Sequence, residues 1–299
     1  MTILITGVTG FVGSALCNTL EAANYDVRRN NQRLSEVEWS QSLAGIETVA
    51  HLAARVHIMQ DKSADPLAEF RAVNVEGTIN LARQAAAAGV KRFVFLSSIK
   101  VNGEFTLPNQ PFTPDEANPQ DPYGISKYEA ELGLRKVAAE TDMQVVIIRP
   151  PLVYGAGVKA NFASLLRIVK CGVPLPLGAV TQNRRSFVAL DNLLNLIITC
   201  IHHPNAANQT FLVSDGEDVS TTDLLCKMVV AQCVAGRLFS SRLLPVPVAL
   251  LNLCAKLIGK ETIAQRLLGN LQVDISHTQK ILDWKPIISL EEGLRRAVS

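Results

Sequence analysis

The sequence predicts an α/β protein with a parallel sheet covered by helices on both faces and a smaller C-terminal lobe. Strand-like apolar runs alternate with helical patterns through the first half of the 299-residue chain, as expected for a parallel sheet. The first of these runs passes directly into a glycine-rich turn and then into a helix-forming segment. After about Pro150, prolines and glycines interrupt the alternation, which indicates loops built over one edge of the sheet.

The glycine-rich turn predicts a phosphate-binding site. It reads Gly7-Val8-Thr9-Gly10-Phe11-Val12-Gly13 and lies between the strand at residues 2–6 and a helix that begins near Ser14. In such a turn one glycine permits the tight bend, one lets the backbone approach a pyrophosphate, and one lets the helix pack close to the strand. The helix N-terminus also favours bound phosphate. We therefore expect a dinucleotide here rather than an incidental turn.

The later elements keep the order of strand followed by helix. Further strands are predicted at residues 26–28, 47–52, 92–96, 144–148 and 211–214, and the main helices at residues 69–88 and 125–140. This order predicts a Rossmann-type, doubly wound parallel sheet, with ligands beyond the carboxyl ends of its strands. Residues 1–150 would form the dinucleotide-binding domain. Residues 151–299 would form mainly a substrate-binding lobe, with some segments returning to the sheet.

Composition excludes several classes of protein. Hydrophobic residues make up 48% and charged residues 19%, which supports a large core and argues against disorder. A formal net charge of +2 gives no general attraction to nucleic acid. Because a strand begins at residue 2, no room remains for a secretory signal, and we expect a cytoplasmic protein. Residues 243–258 predict a packed amphipathic helix rather than a membrane span, with a membrane-surface role as the alternative.

The cysteines indicate neither a metal site nor a disulfide framework. No CxxC pair and no cluster of His and Cys with metal-ligand spacing occurs in the sequence. We expect reduced thiols that lie mostly in the core. The six residues concerned are Cys17, Cys171, Cys200, Cys226, Cys233 and Cys254.

A hydroxyl, a phenol and an ammonium group predict chemistry at the carboxyl edge of the sheet. Tyr123 and Lys127 are four residues apart at the start of a predicted helix, so their side chains share one face. An ammonium group beside a phenol lowers the phenol pKa, which would make the pair a proton shuttle near neutral pH. Ser98 follows the predicted strand at residues 92–96. Together with the dinucleotide turn, these groups describe hydride transfer at an alcohol or ketone carbon, against the alternative of a helix-surface pair.

At this level the chain resembles the extended short-chain dehydrogenase/reductase family, in its branch of nucleotide-sugar epimerases, reductases and dehydratases. The resemblance covers nearly the whole chain and follows the family's motifs in order. They are the GxTGxxG turn at residues 7–13, HxAA at 51–54, NxxGT at 74–78, YxxxK at 123–127, RPxxVYG at 149–155, RDFV at 185–188, where the second residue is Ser186, and LGWxP at 282–286, where the second residue is Asp283.

The resemblance implies roles for named residues. Tyr123 would exchange the proton of the sugar hydroxyl, Lys127 would hold the nicotinamide ribose, and Ser98 would hydrogen-bond the reacting oxygen. The implied cofactor contacts are Gly7, Thr9, Gly10, Phe11, Val12, Gly13, Arg29, Leu52, Ala53, Ala54, Asn74, Tyr123, Lys127 and Pro150. The implied substrate contacts are Ser98, Lys100, Asn161, Phe162 and Arg185, and Arg185 would pair with the diphosphate of a UDP-sugar. Relatives often dimerise through helices that correspond to residues 69–88 and 125–140, so a homodimer is expected.

One departure from the family pattern reduces the number of reactions that this chain is expected to catalyse. In sugar 4,6-dehydratases an Asp-Glu pair follows the hydroxyl residue, whereas this chain has Ile99 and Lys100 there. Neither side chain can replace a carboxylic acid and its base, so dehydration is not expected. A 4-epimerase and a 4-ketoreductase remain, because both use the same three residues. The serine loop resembles that of enzymes of bacterial surface-polysaccharide pathways, and a UDP-hexose 4-epimerase is favoured over a UDP-4-keto-sugar reductase.

The cofactor prediction stays open between NAD and NADP. NAD selectivity usually needs an acidic residue after the second strand, whereas this chain has Arg28, Arg29 and Arg33 near that point. These arginines suit a 2′-phosphate and hence NADP, or they are solvated loop residues.

A different class of function, a non-catalytic regulator that senses a dinucleotide, is disfavoured because the three catalytic side chains are all present.

Overall fold

A computed structural model describes residues 1–34, 38–56, 65–158, 160–234 and 243–298. The strands are β1 (Thr2–Thr6), β2 (Asp26–Asn30), β3 (Thr48–His51), β4 (Arg92–Leu96), β5 (Gln144–Arg149), β6 (Leu152–Tyr154), β7 (Arg185–Ala189), β8 (Thr210–Leu212) and β9 (Asp218–Val219). The helices are α1 (Phe11–Ala22), α2 (Ser40–Leu43), α3 (Pro66–Phe70), α4 (Gly77–Ala87), α5 (Pro122–Glu140), α6 (Ala160–Lys170), α7 (Leu190–His202), α8 (Thr221–Val234), α9 (Val248–Leu257), α10 (Glu261–Leu268), α11 (Ser276–Leu282) and α12 (Leu290–Val298).

The main sheet has the strand order β2-β1-β3-β4-β5-β8, and all of its neighbouring strands are parallel. The chain first winds outward from β1 to β2 and then, from β3 onward, in the opposite direction. In open α/β sheets, ligands bind where this direction reverses, at the carboxyl ends of the strands. The predicted doubly wound parallel sheet is therefore confirmed, and its reversal point lies beside the glycine-rich turn.

Two apolar clusters cover the two faces of the sheet, as a parallel sheet requires. On one face, α1 contributes Leu16 and α7 contributes Leu193 to a cluster that includes Ile3 and Ile5 of β1. The other face is covered by α4 and α5, with Leu81 and Leu134 packed among residues of β3, β4 and β5. The site residues at the strand ends are thus carried on a rigid, two-sided core.

The second half of the chain builds a further layer and also returns to the main sheet. A small sheet has the order β6-β7-β9, and its apolar cluster includes Tyr154, Phe187 and Leu225. By contrast, β8 comes from the same half of the chain and pairs with β5 in the main sheet.

The two long helices of the first half differ locally from their predicted bounds. The long helix predicted at residues 69–88 is divided into α3, a π-helical turn over Arg71–Glu76, and α4. The helix predicted at residues 125–140 begins earlier, at Pro122, because the Asp121 side chain accepts a hydrogen bond from the backbone N–H of Gly124 at 2.6 Å. This is an N-cap, and proline is favoured in the first helical turn that follows it.

The expectation that the cysteines lie mostly in the core is wrong for the described side chains. Cys17 and Cys200 are buried, but Cys171, Cys226 and Cys254 are exposed. The exposed thiols lie on helices and helix ends of the C-terminal half, which have only one face against the core. Within the described ranges, no helix has the length and apolar character needed to cross a membrane.

Candidate active site

The glycine-rich turn leaves no space for side chains at two of its glycines. Gly7 has a φ of +74°, and a Cβ there would lie 2.6 Å from the backbone nitrogen of Ala53. A Cβ on Gly13 would overlap the carbonyl oxygen of Gly7. Gly10, at the N-cap of α1, is exposed and borders open space, with its nearest neighbour 3.1 Å from a Cβ. Hence two glycines are required by packing, whereas Gly10 keeps the backbone accessible to a ligand.

A cleft of about 490 Å³ opens beside this turn and extends to the candidate catalytic pair. It is bounded by backbone of the turn, by the segment after β3, and by α5. Eleven of the residues expected to bind cofactor line it, namely Gly7, Thr9, Gly10, Phe11, Val12, Gly13, Leu52, Ala53, Ala54, Tyr123 and Lys127. A glycine cradle that leads to a phenol and an amine fits a nicotinamide dinucleotide, with its pyrophosphate at the turn.

Arg29 does not line this cleft. β2 extends to Asn30, so Arg28 and Arg29 lie within the strand instead of after it. Alternation along the strand sends Arg29 to α1, where it pairs with Glu21 at 2.6 Å. Arg28 donates to the carbonyl of Ser42 at 2.9 Å. The position expected for a cofactor-selecting residue is instead occupied by the amides Asn31 and Gln32, and the geometry gives no support to Arg29 as a cofactor contact.

Asn74 and Pro150 do not line the cleft, but their hydrogen bonds hold segments that border it. The Asn74 side chain accepts a hydrogen bond from the backbone N–H of Arg55 at 2.8 Å and donates one to the Ser126 hydroxyl at 3.0 Å. It therefore joins the segment after β3 to α5. The carbonyl of Pro150 accepts from the backbone N–H of Ile99 at 3.0 Å, which fixes the turn that carries Ser98.

The structure brings Ser98, Tyr123 and Lys127 together at the inner end of the cleft. Ser98 lies near enough to the Tyr123 phenol to favour its charged form, which lowers the phenol pKa. Lys127 is buried, donates from Nζ to the carbonyl oxygen of Leu96 at 2.8 Å, and has its Nζ 4.3 Å from the centre of the Phe95 ring. The three groups thus meet where β4 ends and α5 begins.

Burial changes the proton affinity of both catalytic side chains. Burial lowers the pKa of Lys127 to about 7, and the nearby Glu131 carboxylate partly opposes this change. Burial and the charge of Asp121 raise the pKa of Tyr123, while Ser98 opposes them. The net pKa of Tyr123 is therefore raised and not lowered as expected, because desolvation of the phenolate outweighs the effects that favour its charge. Lys127 itself is the group that can change protonation near neutral pH.

A buried ion pair supports this centre and was not found from the sequence. Arg149 donates two hydrogen bonds to Glu131, at 2.9 and 2.6 Å, and Ser97 donates to the same carboxylate at 2.6 Å. Arg149 also donates to the side-chain oxygen of Asn102 at 3.1 Å. The pair therefore holds α5, the end of β5 and the turn around Ser98 in one arrangement. The spacing of Glu131, four residues after Lys127, is the only sequence signal for it.

Two guanidinium groups, those of Arg185 and Arg266, lie close enough for their charges to interact. Burial and, to a smaller extent, the charge of Arg266 lower the pKa of Arg185 to about 10, while Glu104 opposes them. Arg185 donates to the carbonyl of Gly269 at 3.1 Å, which anchors it beside the end of α10. Since adjacent cations repel, their proximity suits an anionic ligand such as a diphosphate. Sequence reasoning identified Arg185 but not Arg266.

The remaining residues that were predicted to contact the substrate contact other parts of the protein or are not described. Lys100 pairs with Glu104 at 2.9 Å and with Asp121, so it braces the start of α5. Phe162 is buried and stacks on Tyr154 with ring centroids 5.2 Å apart. It belongs to the core of the C-terminal layer, which contradicts its prediction as a substrate contact. Asn161 lies in the first turn of α6, and its side chain is outside the described part of the structure.

The comparisons with known proteins agree with this geometry. Residues 3–214 match the NAD dependent epimerase/dehydratase family, and the chain belongs to that family. Its cofactor is accordingly NAD or NADP.

Individual relatives have names that specify a reaction. The chain is 50% identical to a UDP-glucose 4-epimerase of Vibrio cholerae, over 98% of this chain and 93% of the relative. It is 28% identical to an N-acetyl-alpha-D-glucosaminyl-diphospho-ditrans,octacis-undecaprenol 4-epimerase of Escherichia coli O157:H7, over 87% and 81%. A solved UDP-glucose 4-epimerase of Thermotoga maritima shares the fold, with a TM-score of 0.74 and 22% identity over 100% and 97% of the two chains.

Proposed function

We propose that this protein is an NAD(P)-dependent 4-epimerase of a UDP-hexose. The observation that carries the proposal is the 50% identity to a UDP-glucose 4-epimerase across nearly the full length of both chains. The assembled Ser98, Tyr123 and Lys127 support it, since they supply the groups that an alcohol-to-ketone interconversion needs. The relative that acts on a polyprenyl-linked sugar is also a 4-epimerase, so two relatives with different carriers are named for the same sugar position.

The catalytic side chains would divide the work as follows. Tyr123 takes the proton of the C4 hydroxyl as the alcohol is oxidised and returns a proton to the oxygen when the ketone is reduced. Ser98 donates a hydrogen bond to the reacting oxygen and orients it toward the phenol. Lys127, with a pKa of about 7, supplies the positive charge that makes phenolate formation less costly. When bound, the nicotinamide cofactor supplies the hydride acceptor and donor.

The residues around the cleft would bind the two ligands. The backbone of the turn at Gly7 to Gly13 would hold the pyrophosphate of the cofactor, and Asn31 and Gln32 would contact its adenosine ribose. Arg185 and Arg266 would bind the diphosphate of the UDP-sugar, because a pair of guanidinium groups can contact several phosphate oxygens at once. Epimerisation at a single carbon requires the sugar to turn within the site, so we place the fixed binding contacts on the diphosphate and not on the hexose.

The domain division, the oligomeric state and the location form part of this proposal. Residues 1–150 would be the dinucleotide-binding domain and residues 151–299 mainly the substrate-binding lobe. We propose a cytoplasmic homodimer that associates through α4 and α5, where Leu132 exposes an apolar side chain. Replacing Leu132 with Glu should then shift the protein toward a monomer in analytical ultracentrifugation.

The deciding experiment combines cofactor analysis with a reductant-free assay. Freshly purified protein is denatured and its released nucleotide identified, and the native protein is incubated with UDP-glucose alone. Formation of UDP-galactose, the C4 epimer, without added NADH or NADPH is the expected result. Tyr123→Phe, purified in parallel, should give none. Stoichiometric consumption of NADPH with a UDP-4-keto sugar, and no interconversion of the two hexoses, would identify a reductase and overturn the proposal.

A further inference from the structure

An apolar surface is exposed on the helical hairpin formed by α9 and α10, which pack against each other. α9 is composed almost entirely of apolar residues, yet none of its residues is buried. A helix with this many apolar residues is normally enclosed by protein. Leu250, Leu253 and Leu257 follow one face of α9 and are about half exposed or more, with Leu257 at 77%. Ile258, at 66% exposure, and Ile263 extend this surface around the turn into α10.

The orientation of α9 is set by contacts on its other face. Val248 and Leu251 pack against the apolar cluster of the C-terminal layer. Residues three and four apart share a face of a helix, so the face with Leu250, Leu253 and Leu257 points away from that cluster. α9 therefore has an inner apolar face that packs on the core and an outer apolar face that is exposed in the described part of the structure. Contiguous exposed apolar patches of this kind mark binding surfaces.

Positive charge surrounds the same surface. Lys256 and Lys260 are exposed at the end of the hairpin where the leucine face terminates. The nearby acid, Glu261, lies in the first turn of α10, where it complements the positive end of the helix dipole. The chain as a whole carries a net charge of only +2. The hairpin thus combines leucine and isoleucine with flanking lysines whose long side chains can keep their charges in a polar phase.

We propose that the α9–α10 hairpin binds peripherally to an anionic phospholipid bilayer. Leu253, Leu257 and Ile258 enter the boundary between headgroups and acyl chains, and Lys256 and Lys260 reach the phosphates of the headgroups. A protein partner fits less well, since lysine is depleted from interface cores. A stable interface also uses roughly 20–30 residues on each side, whereas this surface offers a few side chains on one hairpin.

The hairpin also connects this surface to Arg185, which the proposed function assigns to the diphosphate of the substrate. α10 ends at Leu268, and the carbonyl of the next residue, Gly269, accepts the hydrogen bond from Arg185 at 3.1 Å. Binding through the hairpin would therefore hold the part of the protein that carries Arg185 at the membrane surface. The inference depends on the exposed hairpin and its charges alone, and it stands or falls separately from the proposed enzymatic function.

Vesicle flotation of the full-length protein tests the inference. Wild-type protein should float with vesicles of phosphatidylcholine and phosphatidylglycerol, more weakly with phosphatidylcholine alone, and less at high salt. The double variant Leu253→Glu/Leu257→Glu should weaken binding at least about tenfold, because two apolar anchors become charged. Lys256→Glu/Lys260→Glu should weaken binding to the anionic vesicles specifically. Ile287→Glu, at another exposed apolar residue, is the matched control and should bind as wild type does.

The outcomes separate the bilayer from other occupants. Circular dichroism and a thermal melt establish that each variant is folded before binding is measured. Absence of wild-type flotation with anionic vesicles would overturn the inference. A concentration-dependent dimer that Leu253→Glu/Leu257→Glu dissociates, without vesicle binding, would assign the surface to a second copy of the chain instead. Equal binding by the leucine variant and the wild type would also exclude the hairpin as the membrane contact.

Discussion

Replacing Glu131 with Gln should strongly destabilise the protein, because it breaks a buried ion pair from one side. The Glu131 side chain is 0% and the Arg149 side chain 2% exposed, and Arg149 contacts the carboxylate through two hydrogen bonds. The amide keeps the shape of the carboxylate but leaves the guanidinium charge without an anion. Removing one partner of a buried pair costs about 3–5 kcal/mol, out of a total stability of roughly 5–15 kcal/mol for a typical protein.

Two matched variants isolate the contribution of burial and of pairing. Arg135 donates to the same carboxylate at 3.1 Å but is 42% exposed, so Arg135→Gln should cost less than about 1 kcal/mol. The double variant Glu131→Leu/Arg149→Met removes both charges together and should cost less than the two single replacements added together. Urea denaturation followed by circular dichroism gives the free energy of unfolding for each variant.

The same substitution should move the pH dependence of catalysis in a defined direction. The Glu131 carboxylate favours the charged form of Lys127, whose pKa is about 7. Its removal favours the neutral amine, so the Lys127 pKa falls further and the corresponding step in the profile of kcat/KM moves to lower pH. An unfolding cost of Glu131→Gln below about 1 kcal/mol, or a profile displaced to higher pH, would refute the role assigned to this ion pair.

Four further predictions concern the cleft and the core. Tyr123→Phe should reduce kcat by roughly 10²–10⁴-fold with little change in cofactor binding measured by calorimetry; activity within a few-fold of wild type would remove the phenol from the mechanism. Gly10→Val should weaken NAD binding far more than it lowers the melting temperature, since its Cβ would stand at the cleft surface; unchanged affinity would mean that the turn is misassigned. Arg29→Ser should leave the ratio of NAD to NADP affinity unaltered, because Arg29 pairs with Glu21; a marked fall in NADP affinity alone would contradict this placement. Burial lowers the pKa of His51 to about 3. At pH values below its ordinary pKa of 6.5, His51 is therefore protonated in the unfolded chain but stays neutral in the folded protein. The contribution of His51 to stability should therefore fall by about 2 kcal/mol between pH 7 and pH 5, and the difference in unfolding free energy between wild type and His51→Gln should change by that amount in urea titrations at the two pH values.

Local sequence patterns identified the main elements of the site. The glycine turn was recognised because a tight turn, a close backbone approach and close helix packing each exclude a side chain, and this constraint is visible in the order of residues. Tyr123 and Lys127 were recognised because a spacing of four on one helix determines which side chains share a face. The parallel sheet followed from alternating strands and helices.

Interactions between distant segments were decided only by the tertiary structure. Whether Arg29 reaches the cleft depends on where β2 ends and which side of the strand it faces, and one residue changes both. The pairing of Glu131 with Arg149 joins a helix to a strand, and the direction of the Tyr123 pKa change depends on how deeply the phenol is buried. Local spacing determines which side chains share an element and a face. Their solvation and their partners depend on segments far apart in the chain, so burial, pKa and charge pairing become defined only when the layers pack together.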